Sequence, residues 1–168
     1  MVTTIITVTI AANIVSINAS TGMEIIIITS VLKIVYQKRT EKARQELYDK
    51  FKTIAEKYTP LQQNGKSVFL CIIAKSPQDL IREGEALHHC VGRMNYDQKV
   101  IREETLIFFI RSKDNPNTPL VTIEYSLQTK KILQCYAEHN QKPSEDIENY
   151  VYKKWLPYAN RQLKKIAA

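Results

Sequence analysis

The 168 residues predict an α+β fold: a small antiparallel sheet packed with helices, preceded by a long amphipathic helix and a β-prone N-terminal segment. Three observations lead there. Hydrophobic residues make up 44% of the chain, enough to bury one sizeable core. Apolar residues recur every three or four positions over residues 30–59, but form short runs or alternate over 67–73 and 105–138. Clusters of Asn, Asp, Pro and Gly separate those later runs.

Residues 1–29 form the first division of the chain. No charge occurs from Met1 to Met23, and Glu24 is the only one before Lys33. Thr, Ser and Asn are too frequent for a membrane span, and the alternation Thr7-Val8-Thr9-Ile10 has the period of a half-buried strand. No Lys or Arg precedes the apolar part, unlike a secretory leader. Strands are expected over 3–10, 13–18 and 24–29, the last two separated by a turn at Ser20-Thr21-Gly22.

The second division, 30–59, reads as one basic amphipathic helix. Val31, Val35, Arg39, Ala43, Leu47, Phe51, Ile54 and Tyr58 mark one face, with Ser30 as N-cap and Pro60 as the stop. The plain expectation is a helix laid on the core; the sharper one is a surface that follows phosphates.

The third division, 60–168, begins after Pro60. Asn64-Gly65 marks a turn and Ser67–Ile73 a buried strand. Ser76-Pro77-Gln78-Asp79 opens a helix with a cap, a proline at the first position and an acid in the first turn. Its stripe of Leu80, Gly84, Leu87 and Val91 carries it to Gly92 as a left-handed C-terminal cap, which places His88, His89 and Cys90 in the last turn. A short helix follows over Asn95–Glu103, then a three-stranded meander over Thr105–Arg111, Pro119–Tyr125 and Lys131–Glu138. A helix from about Ser144 closes the chain, kinked or split by Pro157.

Net charge is +7, and residues 30–59 hold eight Lys/Arg against four Asp/Glu. That excess favours an anionic partner, and the residues expected to contact nucleic acid are Lys38, Arg39, Lys42, Arg44, Lys153 and Lys154. Three cysteines form no framework, which fits a reducing cytoplasm better than an oxidising compartment.

Several spaced motifs carry a family resemblance. Glu83-Gly84 leads into Leu87-His88-His89-Cys90-Val91-Gly92, followed by Ile107–Arg111, Thr122-Ile123-Glu124, Ile132-Leu133-Gln134, His139-Asn140 with Pro143, and Trp155. In this order they resemble the PcfJ-like family of conjugative plasmids, prophages and other bacterial mobile elements, over about residues 67–158. The turn Gln128-Thr129-Lys130-Lys131 lacks the Gly that relatives often carry there. The resemblance implies a setting in plasmid transfer or mobile-element DNA processing, with conjugation or phage proteins as partners, and it implies no particular reaction.

The chemistry therefore has to come from the residues. His88, His89, Cys90, Cys135 and His139 are metal-ligand types, but no Cys-x-x-Cys or His-x-x-x-His spacing occurs, and adjacent helical residues point about 100° apart. No metal and no cofactor is expected. Cys90 at a helix C-terminus is poorly placed for a thiolate, and a buried structural role serves as well. On the third strand of the sheet, Thr122 and Glu124 share one face, with Gln134 on the neighbouring strand and Asn140 just beyond it. A surface cross-strand pair with Lys131 is the equal alternative for Glu124. No Gly-rich phosphate loop, paired metal-binding acids or zinc-deaminase motif is present.

Two functional expectations follow. The first is a mobile-element accessory protein that supports conjugation or DNA processing by binding nucleic acid or a transfer-complex partner. The second is a small hydrolase or transferase whose catalytic pocket holds His89, Cys90, Glu124, Gln134 and Asn140.

Overall fold

A computed structural model describes residues 22–63 and 67–166. Helix α1 runs from Gly22 to Lys57, so residues 24–29 are helical rather than a strand, and Ser30 is an interior residue rather than a cap. Their β-branched side chains favour a strand only weakly, and such a preference yields to a continuing helix. The strands expected over 3–10 and 13–18 lie outside the described residues. The chain divides inside α1, at Arg44–Gln45, into two units. In the first, Val31, Leu32, Ile34 and Tyr36 are exposed. The expected core-facing stripe begins only in the second unit, where Phe51, Ala55 and Tyr58 are buried. Pro60 sits in a short 3-10 turn, Thr59–Leu61, just past the helix end. Among the described residues no helix is long and apolar enough to cross a membrane.

Strands β1 (Phe69–Ile73), β2 (Thr105–Ser112), β3 (Val121–Ser126) and β4 (Ile132–Tyr136) form one antiparallel sheet in the order β1-β2-β3-β4. Register assigns the faces, because directly paired residues point to the same side. Phe108 pairs with Ile123 and with Ile73, and Leu106 with Tyr125; these are buried in the core. Trp155 packs on that face, its ring 4.8 Å from Phe108 and 5.8 Å from Tyr125, and its indole N–H donates to the Leu61 carbonyl at 3.0 Å. The opposite face carries Ile107 opposite Glu124, Phe109 opposite Thr122, and Glu124 opposite Gln134.

The β3–β4 turn works without its glycine. Lys130 adopts the left-handed conformation (φ 57°), and Ser126 N–H donates to the Lys131 carbonyl at 2.9 Å. Lys131 sits opposite Ser126, and after a one-residue register shift between Tyr125 and Glu124 the cross-strand neighbour of Glu124 is Gln134.

Helix α2 (Pro77–Ala86) starts as its sequence predicts, with the Ser76 hydroxyl accepting from the Asp79 N–H at 3.2 Å. It ends earlier than expected. His88, not Gly92, takes the left-handed position (φ 52°), and His89 N–H donates to the Gly84 carbonyl at 3.0 Å, closing a Schellman motif. His89 is extended, and Cys90–Gly92 form a 3-10 turn, so the three residues are not in a helical turn. The glycines serve close approach instead. A Cβ on Gly92 would lie 2.7 Å from Ile81 Cα, and one on Gly84 2.9 Å from the His89 carbonyl oxygen. The loop thus folds flat against the helix it has just left.

Helix α3 (Tyr96–Ile101) packs on β2. The C-terminal helix is α4 (Glu145–Tyr150), a π-turn over Val151–Trp155, then α5 (Leu156–Ile166). Pro157 explains the wide turn: it has no N–H for the Lys153 carbonyl, and its ring needs the extra space. The helix is widened rather than broken.

Gly92→Ala is expected to destabilise the protein by about 1–3 kcal/mol, because the clash is with backbone that cannot rotate away. Exposed Glu85→Ala on the same helix should stay within about 0.5 kcal/mol. Urea denaturation of both variants measures the difference.

Candidate functional site

A buried polar chain crosses from β2 to the end of α2. Glu83 lies on the buried face of α2 and Arg111 near the end of β2, at 2% and 7% exposure. Both guanidinium nitrogens engage the Glu83 carboxylate; Nη1 donates to Oε1 at 2.9 Å and Nη2 to Oε2. Thr122 also donates to Glu83 Oε1, at 3.4 Å, and its oxygen lies 3.0 Å from His89 Nε2. Burial pushes the Glu83 carboxyl above its ordinary pKa, opposed by the hydrogen bond and charge of Arg111. The forked contact and the permanent charge of arginine keep the pair ionic. An ion pair and one hydroxyl therefore position the His89 ring.

His89 is half-buried, and desolvation lowers its pKa. Beside it a small cleft is lined by His89, Cys90, Glu124, Gln134 and Asn140, with Thr122 and Tyr96 among its walls. Four separate segments supply those five residues: the loop after α2, β3, β4, and the turn Glu138–Asn140. Every residue assigned to the pocket from sequence is brought to it. The cleft volume is about 20 Å³, room for one water or one small polar group. A larger groove of about 530 Å³ adjoins it and shares His89, Cys90 and Asn140 as walls.

Glu124 is buried, yet it is ion-paired: Lys99 Nζ from α3 lies 3.1 Å from its Oε1 and 4.6 Å above the Tyr96 ring. The Tyr96 hydroxyl donates to Gln134 Oε1 at 3.3 Å. The cleft floor is thus a charged pair bordered by an amide and a phenol. Cys71 and Cys135 are withdrawn by burial, which pushes the Cys135 thiol to about 12, whereas Cys90 is exposed.

The ligand set weighed from sequence does not assemble as a unit. Among the described residues, one group of possible metal-binding atoms converges, on exposed His88, Glu138 and His139. The basic residues are also dispersed along the chain. Lys38, Arg39, Lys42 and Arg44 are exposed on the first unit, and Lys153 and Lys154 on the second. Arg44 pairs with Glu41 at 2.9 Å.

Glu83, Arg111 and Thr122 entered the sequence reading only as motif or face residues, and neither they nor Lys99 received a site role there. A signal was available for two of them. Glu83 lies three residues after Leu80 and next to Gly84 on an apolar stripe, and Arg111 closes the apolar run Leu106–Ile110. A charge in a core-facing position signals a buried partner. Thr122 and Lys99 gave no such signal, because their roles depend on strand register and helix docking.

A family model described as PcfJ-like protein matches residues 28–151. The "Uncharacterized protein Lin1253/Lin1744" of Listeria innocua serovar 6a is 33% identical over 119 residues, which are 71% of this chain and 25% of that protein. The chain therefore spans a quarter of the length of the curated relative it matches. No solved structure matches.

Removing one member of the buried pair should cost far more than replacing both. Glu83→Met or Arg111→Leu alone is expected to lose about 3–5 kcal/mol, because the partner's charge is stranded. A double replacement, Glu83→Met with Arg111→Leu, should lose less than either single change. A double-mutant cycle by urea denaturation measures this coupling.

Proposed function

The chain belongs to the PcfJ-like protein family, and on that premise we propose that its folded unit is a small hydrolase or transferase of a mobile element, using His89 as general base. The observation that carries this reading is the convergence of His89, Cys90, Glu124, Gln134 and Asn140 on one cleft. Two stretches of chain meet there, the loop with His89 and Cys90 and the β3–β4 hairpin with its following turn.

The roles follow from position. The half-buried imidazole, held at Nε2 by Thr122, takes a proton from an attacking water or hydroxyl and returns it to the leaving group. Gln134 and Asn140 offer exposed amides that orient a small polar end of the substrate. Lys99, paired with Glu124, supplies a fixed cation near the cleft for developing negative charge. Cys90, exposed where cleft and groove meet, is the available thiol nucleophile if a covalent intermediate forms. The volumes set a division of labour: the narrow cleft holds the attacking water while the substrate occupies the groove that shares His89, Cys90 and Asn140. Phosphodiester, amide and glycosidic bonds all suit this set.

The test combines a substrate panel with a cellular readout. Purified wild-type protein is expected to turn over one class among chromogenic phosphodiester, amide and glycoside substrates. His89→Gln should slow it by about 10²–10⁴-fold with melting temperature retained, and Glu124→Gln should slow it too while lowering stability, because Lys99 loses its buried partner. Plasmid transfer, or mobility of the parent element, should fall with the same variants. No turnover of any class, together with unimpaired transfer by both variants, overturns the proposal.

A second reading is supported by the exposed basic run on the first unit, where residues 33–44 hold Lys33, Lys38, Arg39, Lys42 and Arg44 and one acid, Glu41. In this reading the protein is an accessory that binds nucleic acid through sequence-tolerant phosphate contacts, with a transfer-complex protein as another candidate partner. DNA affinity should then fall steeply with salt, by roughly one unit of log–log slope per phosphate contacted. Lys38→Glu with Lys42→Glu should flatten that slope by about two. Binding that is absent at low salt, or unaffected by salt, rules this reading out.

A further inference from the structure

We propose that His88, Glu138 and His139 form a binding site for a divalent transition-metal ion of the zinc type, at the rim of the larger groove. This inference does not depend on the chemistry of the neighbouring cleft. Its basis is the geometry of three ligand atoms. His88 Nδ1 lies 3.2 Å from Glu138 Oε1, and His139 Nε2 lies 3.7 Å from the same oxygen. All three ligand atoms lie within 4.8 Å of one another. Nitrogen and oxygen ligands bound at about 2.0–2.1 Å around a tetrahedral zinc ion are about 3.3 Å apart. One edge of the triangle therefore already has the length the ion requires, and a second is within about half an ångström. Only the His88–His139 edge has far to close.

The two rings are also ordered relative to each other. They stack with centroids 4.7 Å apart and planes 24° apart, each with a nitrogen near the Glu138 carboxylate, so one ring has to turn about its Cβ–Cγ bond to bring both in-plane lone pairs onto one ion. Backbone geometry holds them there. His88 and His139 both adopt left-handed conformations (φ 52° and 54°), which are uncommon for residues other than glycine. His139 N–H donates to the Leu87 carbonyl at 2.8 Å, tying the Glu138–Asn140 turn to the residue before His88. All three side chains are exposed, where a carboxylate–imidazole contact contributes little to stability. The fold has no evident need for such an arrangement, but an ion arriving from solvent does.

The donor set selects the class of ion. Two neutral imidazoles and one carboxylate suit zinc, cobalt or nickel better than magnesium or calcium, which favour all-oxygen sites. Three protein ligands also leave one tetrahedral position open, the arrangement of zinc sites that bind an exchangeable ligand. His88 also lines the larger groove beside His89 and Cys90, so that open position borders the space proposed for substrate.

Calorimetric titration of the full chain with zinc alone, above the imidazole pKa, tests the site. One saturable ion per chain is expected, with no heat from magnesium. Glu138→Gln and His139→Gly should each weaken zinc binding by at least ~10-fold. Glycine accepts the left-handed backbone at position 139, and Gln keeps the shape of residue 138, so both variants should melt like wild type without metal. Cys90→Ser should bind zinc as wild type does, and cobalt should give visible bands without a thiolate charge-transfer band. Absence of saturable binding, binding unchanged in both ligand variants, or loss with Cys90→Ser overturns the proposal.

Discussion

Contact between backbone and backbone, allowed by two glycines, sets the geometry above the sheet. Gly84 and Gly92 leave no side chain between α2 and the loop Leu87–Gly92 that folds back on it. A single methyl group at Gly92 would meet Ile81 Cα at 2.7 Å, so the loop would have to lift. The loop carries His89 and Cys90 to the narrow cleft, and His88 beside them to the groove. Both the narrow cleft and the groove use its residues as walls. The same backbone accepts the His139 N–H through Leu87, so the turn after β4 is registered against it as well.

Beneath that loop, the Glu83–Arg111 pair joins α2 to β2 in a dry environment. Burying two charges costs nearly as much as their attraction returns, so the pair does little for net stability. It acts on alignment. A forked guanidinium–carboxylate contact tolerates little sliding, and Thr122 extends that precision to the His89 ring. Lys99–Glu124 repeats the device on the far side of the cleft, linking α3 to β3. Two ion pairs thus hold helices against one face of the sheet, while aromatic packing around Trp155 holds the other. The polar face contains the candidate chemistry, and the apolar face contains the bulk of the core.

The order of elements from Ser67 onward was legible because each one announces itself locally. Ser76-Pro77 starts α2, the apolar runs mark β1 to β3, and Pro157 marks the altered helical turn. The end of α2 was misread because Gly92 looks like a C-terminal cap, whereas a left-handed histidine closes the helix four residues earlier. The N-terminal part of α1 was misread because Ile25–Thr29 has strand-forming side chains, and helix propagation outweighs that preference. Among the site residues, Thr122 and Glu124 were placed on one face by simple alternation, and Gln134 beside them by strand order. Which cation met Glu124 was not legible. Lys131 was near in sequence, but it sits at the turn opposite Ser126, and the cation that meets Glu124 is Lys99 of α3.

Composition, spacing and turn chemistry by themselves determined the α+β class and, from Ser67 onward, the order of helices and strands. These are consequences of interactions over a few residues, which repeat wherever the same pattern occurs. Tertiary structure alone decided the Glu83–Arg111–Thr122–His89 chain, the Lys99–Glu124 pair and the meeting of His88 with Glu138 and His139. Each joins segments whose separation in sequence carries no information about distance in space. Their geometry exists only once the two glycines have let the loop down and the strands have settled into register.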